Sequence, residues 1–100
     1  MLTSKQRAQL RAMANGENTI IHVGKGGITD TLVQQVKDAL KARELICGKV
    51  LENSILTPRE ACDELCRICL AEPVQVIGSK FVIYKENREM KAEKKIRLAK

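Results

Sequence analysis

Hydrophobic positions recur along this chain with two periods, and the switches between them divide it into seven elements. Leu10, Met13 and Ala14 follow helical spacing in a segment that opens with Thr3 and Gln6, a capping-box pair, and stops at Asn15 and Gly16. "TIIHV", residues 19–23, is short and β-branched and predicts a strand running directly into Gly24. A second helix follows, capped by Thr29 with Asp30 in its first turn. Ile28 and Val33 are placed as a hydrophobic staple, and Leu32, Val33, Val36, Ala39 and Leu40 form the apolar stripe. "LICGKVL", residues 45–51, predicts a second strand in which Gly48 marks a bulge. Thr57, Pro58, Arg59 and Glu60 combine an N-cap, a proline at the first helical position and a glutamate at the third, so a third helix is predicted to about Ala71, before Pro73.

"VQVI" and "KFVIY" close the pattern as two strands joined by Gly78 and Ser79, a dipeptide suited to a type II′ hairpin turn. That pairing sets Val76 opposite Phe81 and Val74 opposite Ile83 on one face. The order is αβαβαββ with no repeat. Strand–helix–strand connections cross over right-handed into parallel pairs, so the prediction is a mixed four-stranded sheet with the last strand antiparallel to the third. The fold class is α/β, a single two-layer domain over residues 1–100. The ending "KENREMKAEKKIRLAK" carries seven lysines or arginines against three glutamates, and its apolar content is too sparse for a core of its own. Residues 86–100 are therefore expected as a basic, partly flexible tail.

Charge changes this picture from a generic small domain to one that meets polyanions. The formal net charge is +6 and the pI about 9.4, a balance that favours nucleic acid or an anionic surface. One hundred residues supply one modest core. "MLTSKQRAQLRAMANGE" has no apolar segment of signal-peptide length, so a cytoplasmic location is expected, where four cysteines are reduced thiols rather than a disulfide framework.

The candidate chemistry centres on "GKGG", Gly24 to Gly27, between the first strand and the second helix. A dinucleotide fingerprint would need glycine or alanine where Thr29 stands, and the Walker spacing is absent. One reading is a turn that needs positive φ. The other is a phosphate grip: glycines admit a backbone, Lys25 adds a mobile charge, and a helix N-terminus presents unpaired N–H groups. G-x-x-G loops of this kind clamp nucleic-acid backbone in KH modules. Lys5, Arg7 and Arg11 on the first helix extend the positive surface, with no acid before Glu17.

Other candidates carry less. Cys62, Cys66 and Cys69 have iron–sulfur-like spacing but lie within a capped helix, where the outer pair is separated by about 10 Å along the axis, too far to share one ion. They share a face with Leu65 and are read as core. His22 has no nucleophile or carboxylate constellation around it, and no catalytic residue, metal site or cofactor is expected. Phe81 and Tyr84 are the only aromatics, which disfavours base stacking on the sheet and favours backbone or shape contacts.

The succession "LTSKQRAQLRAMA", "VGKGGIT", "ARELI", "VQVIG" and "FVIYKE" resembles the bacterial YhbY-type proteins, the stand-alone form of the CRM (chloroplast RNA splicing and ribosome maturation) domain, from residue 2 to about residue 98. The resemblance implies an RNA-binding fold similar to the C-terminal domain of translation initiation factor 3. It also implies a KH-like G-x-x-G loop at Gly24, Lys25, Gly26 and Gly27, and association with immature large ribosomal subunits. Cys47 and Gly48 depart from the lysine and β-branched residue that usually follow "ELI", and the three helical cysteines match no family metal site. The expectation is a monomeric, non-catalytic RNA-binding protein acting on precursor large-subunit ribosomal RNA. A small enzyme binding a nucleotide phosphate, or a protein-binding adaptor on the ribosome, stands as the alternative.

Overall fold

A computed structural model of the chain describes residues 2–16, 18–87, 96 and 98. The elements run α1 (Ser4–Ala14), β1 (Thr19–Val23), α2 (Asp30–Arg43), β2 (Leu45–Val50), α3 (Pro58–Cys69), β3 (Glu72–Ile77) and β4 (Lys80–Tyr84). Side-chain caps set the helix starts. Both threonine boxes close: Thr3 accepts from the Gln6 N–H while its own N–H donates to the Gln6 side chain, and Thr57 does the same with Glu60. The backbone bond from Thr57 holds the exposed Glu60 carboxyl below its ordinary range.

The sheet order is β1-β2-β4-β3. β1 and β2 are parallel, while β4 is antiparallel to both of its neighbours. The second crossover, through α3, delivers β3 two places from β2, and β4 turns back into the gap. β2 and β4 are thus the inner strands.

The fold has three layers rather than the two expected. α2 and α3 cover one face, packing Leu32, Val36, Leu40 and Leu65 against Ile21, Val23, Ile46, Phe81 and Ile83. α1 covers the other, with Leu10 and Ala14 over Leu45, Cys47, Val74, Val82 and Tyr84, and Ile96 and Leu98 of the C-terminal segment join it. The physical reason is visible in the inner strands. "LIC" and "FVIY" are apolar at consecutive positions, so both faces need cover.

Two local differences from the sequence pattern have identifiable causes. Val76 pairs with Phe81 as expected, but Ile83 pairs with Pro73 and the register shifts before Gln75. Val74 therefore points to the α1 face instead of joining Val76, an irregularity tolerated because Pro73, which has no N–H, lies on an edge strand. Helix α3 ends at Cys69, short of Ala71, because Leu70 adopts the left-handed conformation (φ 57°, ψ 42°) and both it and Ala71 donate to the Cys66 carbonyl. The hairpin turn itself follows expectation, with positive φ at Gly78 alone, as a type II′ turn requires.

Gly48 is a site of close approach, not the bulge the pattern suggested. It lies opposite Phe81, and a Cβ there would stand 2.3 Å from the ring's Cζ. The irregularity falls on β1, between Thr19 and Ile21. At the α2–β2 junction, Glu44 has no exposed surface and a φ of 63°. Its Oε2 accepts from the Asn87 N–H at 2.7 Å and its Oε1 from the Ile96 N–H at 2.8 Å, so it fixes the start of the C-terminal segment. The tail's lysines and arginines beyond Lys85 lie outside the described residues.

Two substitutions test these packing assignments. Gly48→Ala should destabilise the domain by about 1–3 kcal/mol through overpacking against Phe81, and combining it with Phe81→Leu should cost less than the sum of the two single changes in a denaturant-melt cycle. Glu44→Gln sets an NH₂ group against one of two part-buried N–H donors and should cost about 1–3 kcal/mol by the same measurement.

Candidate nucleic-acid interface

The residues between β1 and α2 form one tight turn. The Gly27 N–H donates to the Gly24 carbonyl at 3.0 Å, which places Lys25 and Gly26 at the two exposed central positions. Only Gly27 has positive φ, 67°. A Cβ built on Gly26 would meet nothing closer than the Thr29 methyl at 3.5 Å, so the outward side of the turn is open. Its inward side is supported by the β2–α3 connection: Gly24 sits against Leu51 and Asn53, and Gly27 faces Leu56. The Leu51 N–H, donating to Val23 O at 2.8 Å, ties that connection to the end of β1.

Thr29 caps α2 by accepting from the Leu32 N–H at 3.1 Å. Asp30, exposed in the first turn, already places a carboxylate at the positive end of the helix dipole. A second anion there would meet that charge. The turn's open backbone and Lys25, rather than the helix end, are therefore what this corner offers to a phosphate.

The other basic candidates lie elsewhere. Lys5 is exposed on α1, while Arg7 and Arg11 line a groove of about 490 Å³ along Pro73–Val76 of β3. β1 and β3 are opposite edges of the sheet, separated by three strand spacings, or about 14 Å. The predicted residues are thus separated, with Gly24 to Gly27 at one edge and Arg7 and Arg11 towards the other. Arg59, at the start of α3, joins Arg7 and Arg11 in lining the groove, and none of these three is in an ion pair with another described residue. Sequence reasoning treated Arg59 only as part of a capping segment. Nothing local signals its position, because the sheet topology alone brings the start of α3 beside α1.

The cysteines and the two aromatic rings are buried. Cys62, Cys66 and Cys69 lie in the core beneath α3. Cys62 and Cys66 share a hydrogen bond that lowers the first thiol and raises the second, with burial adding to the rise. Burial likewise raises Cys69. Among the described residues no three His, Cys, Asp or Glu side chains are grouped to hold a metal, and no helix among them is long and apolar enough to cross a membrane. Phe81 and Tyr84 are both buried, and burial pushes the Tyr84 hydroxyl up to about 12. Neither ring is available to stack on a base. His22 is exposed on β1 beside the turn, next to Lys49 of β2.

Comparison with known proteins matches residues 2–85 to the CRS1 / YhbY (CRM) domain. A Bacillus subtilis protein named "Probable RNA-binding protein YqeI" is 41% identical over 91% of this chain and 95% of its own length. An "RNA-binding protein" of Haemophilus influenzae is 29% identical over 92% and 93%. The solution structure of a hypothetical Staphylococcus aureus protein superposes with a TM-score of 0.72 at 42% identity, covering 91% of this chain and 98% of that one. These names indicate RNA-binding proteins rather than enzymes.

The turn geometry separates its glycines by conformation. Gly26→Ala should change stability by no more than about 0.5 kcal/mol, whereas Gly27→Ala, forced to positive φ, should cost about 1 kcal/mol or more. Paired thermal melts of the two variants measure the difference.

Proposed function

This chain belongs to the CRS1 / YhbY (CRM) domain family, and on that premise we propose that it is a non-catalytic, monomeric RNA-binding protein that acts on precursor large-subunit ribosomal RNA during ribosome assembly. The observation that carries the RNA reading is the outward-facing Gly24–Gly27 turn. Its two central positions, Lys25 and Gly26, project no bulk beyond one flexible cation, and its backbone is open to an approaching chain. Gly24, Gly26 and Gly27 admit the RNA backbone, Lys25 neutralises a phosphate, and Lys5, Arg7 and Arg11 widen the positive surface. This is the use a KH-like G-x-x-G turn would have. The names of the relatives support RNA as the partner, and the resemblance to YhbY-type proteins supports the ribosomal precursor as its source.

Lys25→Ala should weaken RNA binding by a similar factor across unrelated sequences, because a phosphate contact positions without reading bases. For a single-stranded target it should also flatten the log–log salt dependence by roughly 0.7, one counterion fewer being released. Gly26→Asp should weaken binding further while leaving the melt intact, since the site has room and no positive φ. A folded double variant with unchanged affinity and salt slope would show the turn to be only a corner. In cells, crosslinking followed by sequencing of the attached RNA should recover precursor large-subunit segments; recovery of unrelated transcripts alone would exclude the ribosomal assignment.

A further inference from the structure

The sheet carries a pair of lysines, flanked by a histidine, whose alignment the sequence does not reveal. Lys49 of β2 lies directly opposite Lys80 of β4, and His22 of β1 is the partner of Lys49 on its other side. Side chains alternate along a strand, so Lys49 shares its face with Leu45 and Cys47, and Lys80 with Val82 and Tyr84, on the side covered by α1. α1 ends at Ala14, and its packing is against β2, β3 and β4. Among the described residues, no helix covers the end of this face nearest the Gly24–Gly27 turn. His22 and Lys80 are exposed and Lys49 is partly buried, and none is in an ion pair with another described residue.

A lysine directly across from a lysine in an antiparallel pair repels it, and such pairs destabilise a sheet. Here the repulsion has no acidic neighbour in the row to relieve it. A groove of about 220 Å³ between the end of α1 and the sheet is lined by Lys80 together with Ala14, Cys47 and Gln75. The row spans from β1, which leads into the turn, to β4, which adjoins the strand beneath Arg7 and Arg11. It is placed where the two separated groups of basic residues need a bridge.

We propose that Lys49 and Lys80, with His22 at their flank, form a second phosphate-contact site that carries the RNA backbone across this end of the sheet, from the Gly24–Gly27 turn towards the α1 arginines. This assignment rests on the RNA-binding reading and adds a path to it. A bound phosphate set between the two ammonium groups replaces their mutual repulsion with attraction, so the site is destabilising when empty and satisfied when filled.

That property gives the test a direction a structural role would not share. Lys49→Gln and Lys80→Gln should each leave the melting temperature unchanged or raise it, while weakening binding to a mixed-sequence single-stranded RNA by about threefold to tenfold. Each should reduce the salt slope by roughly 0.7 and the double variant by roughly twice that. Lys37→Gln on α2 controls for net charge and should alter neither as much. If the unmutated protein binds RNA and the double variant matches it in affinity and slope, the row is overturned and the turn reading survives. If Lys25→Ala and Gly26→Asp bind normally but the row variants do not, the row stands and the turn reading falls. If no RNA binds at all, both fall. Polyglutamate binding through the same lysines as tightly as RNA would overturn the assignment to nucleic acid.

Discussion

Glu44 occupies the point at which four segments of this chain meet. It caps the end of α2, leads into β2, accepts through its carbonyl from the Lys85 N–H just past β4, and holds the C-terminal segment through its carboxylate. A carboxylate without exposed surface is costly unless its oxygens are satisfied, and here each takes a backbone N–H. Its φ of 63° is unfavourable for a residue with a Cβ. Glycine would relieve the backbone but leave those donors empty. The strain is tolerated because the same residue turns the chain and ties down the segment that brings Ile96 and Leu98 onto the second face of the sheet.

From that junction the position of the candidate site follows. β2 starts at Glu44 and is sandwiched: Ile46 and Val50 face α2 and α3, while Leu45 and Cys47 face α1 and the C-terminal segment. The second face is closed by one short helix and a few tail residues, which cover the sheet near the Glu44 end. The opposite end, where β1 and β2 finish and β4 begins, has no helix over it among the described residues. Polar residues can stand there on inner strands only because no helix covers them, and Lys49 and Lys80 do. The proposed contact surface is thus the remainder of an incomplete layer, bounded on one side by the glycine turn.

The features legible in the sequence are those set by residues close together in the chain. The two threonine boxes, the Gly78 turn, the helical stripes and the element order all depend on contacts within a few positions, and each was readable. What depends on non-local pairing was not. The third layer requires knowing that β4 inserts between β2 and β3, which makes Val82 and Tyr84 inward on a second face. Gly48 reads as a weak point until Phe81 is seen to fill its space. At the candidate site, the glycine turn was legible as a motif, whereas Arg59 and the opposition of Lys49 to Lys80 arise only from topology and register.

On the proposed reading, these placements determine the kind of recognition this surface can perform. A turn of glycines and one lysine offers backbone N–H groups and charge but no side-chain pattern to match a base edge. The two aromatic rings that could have stacked on bases are spent on the core, Phe81 against Gly48 and Tyr84 beneath α1. What remains is charge distributed over about 14 Å from one sheet edge to the other. Such a surface selects its target by the course of the phosphate backbone, since only an RNA whose backbone bends along the turn and the sheet end can meet all the cations together. A folded RNA presents that course while a random coil must be ordered to reproduce it, and the entropy of that ordering opposes binding. Selectivity of this kind requires no base contact, and it disappears when the RNA unfolds or its backbone is drawn away by other partners.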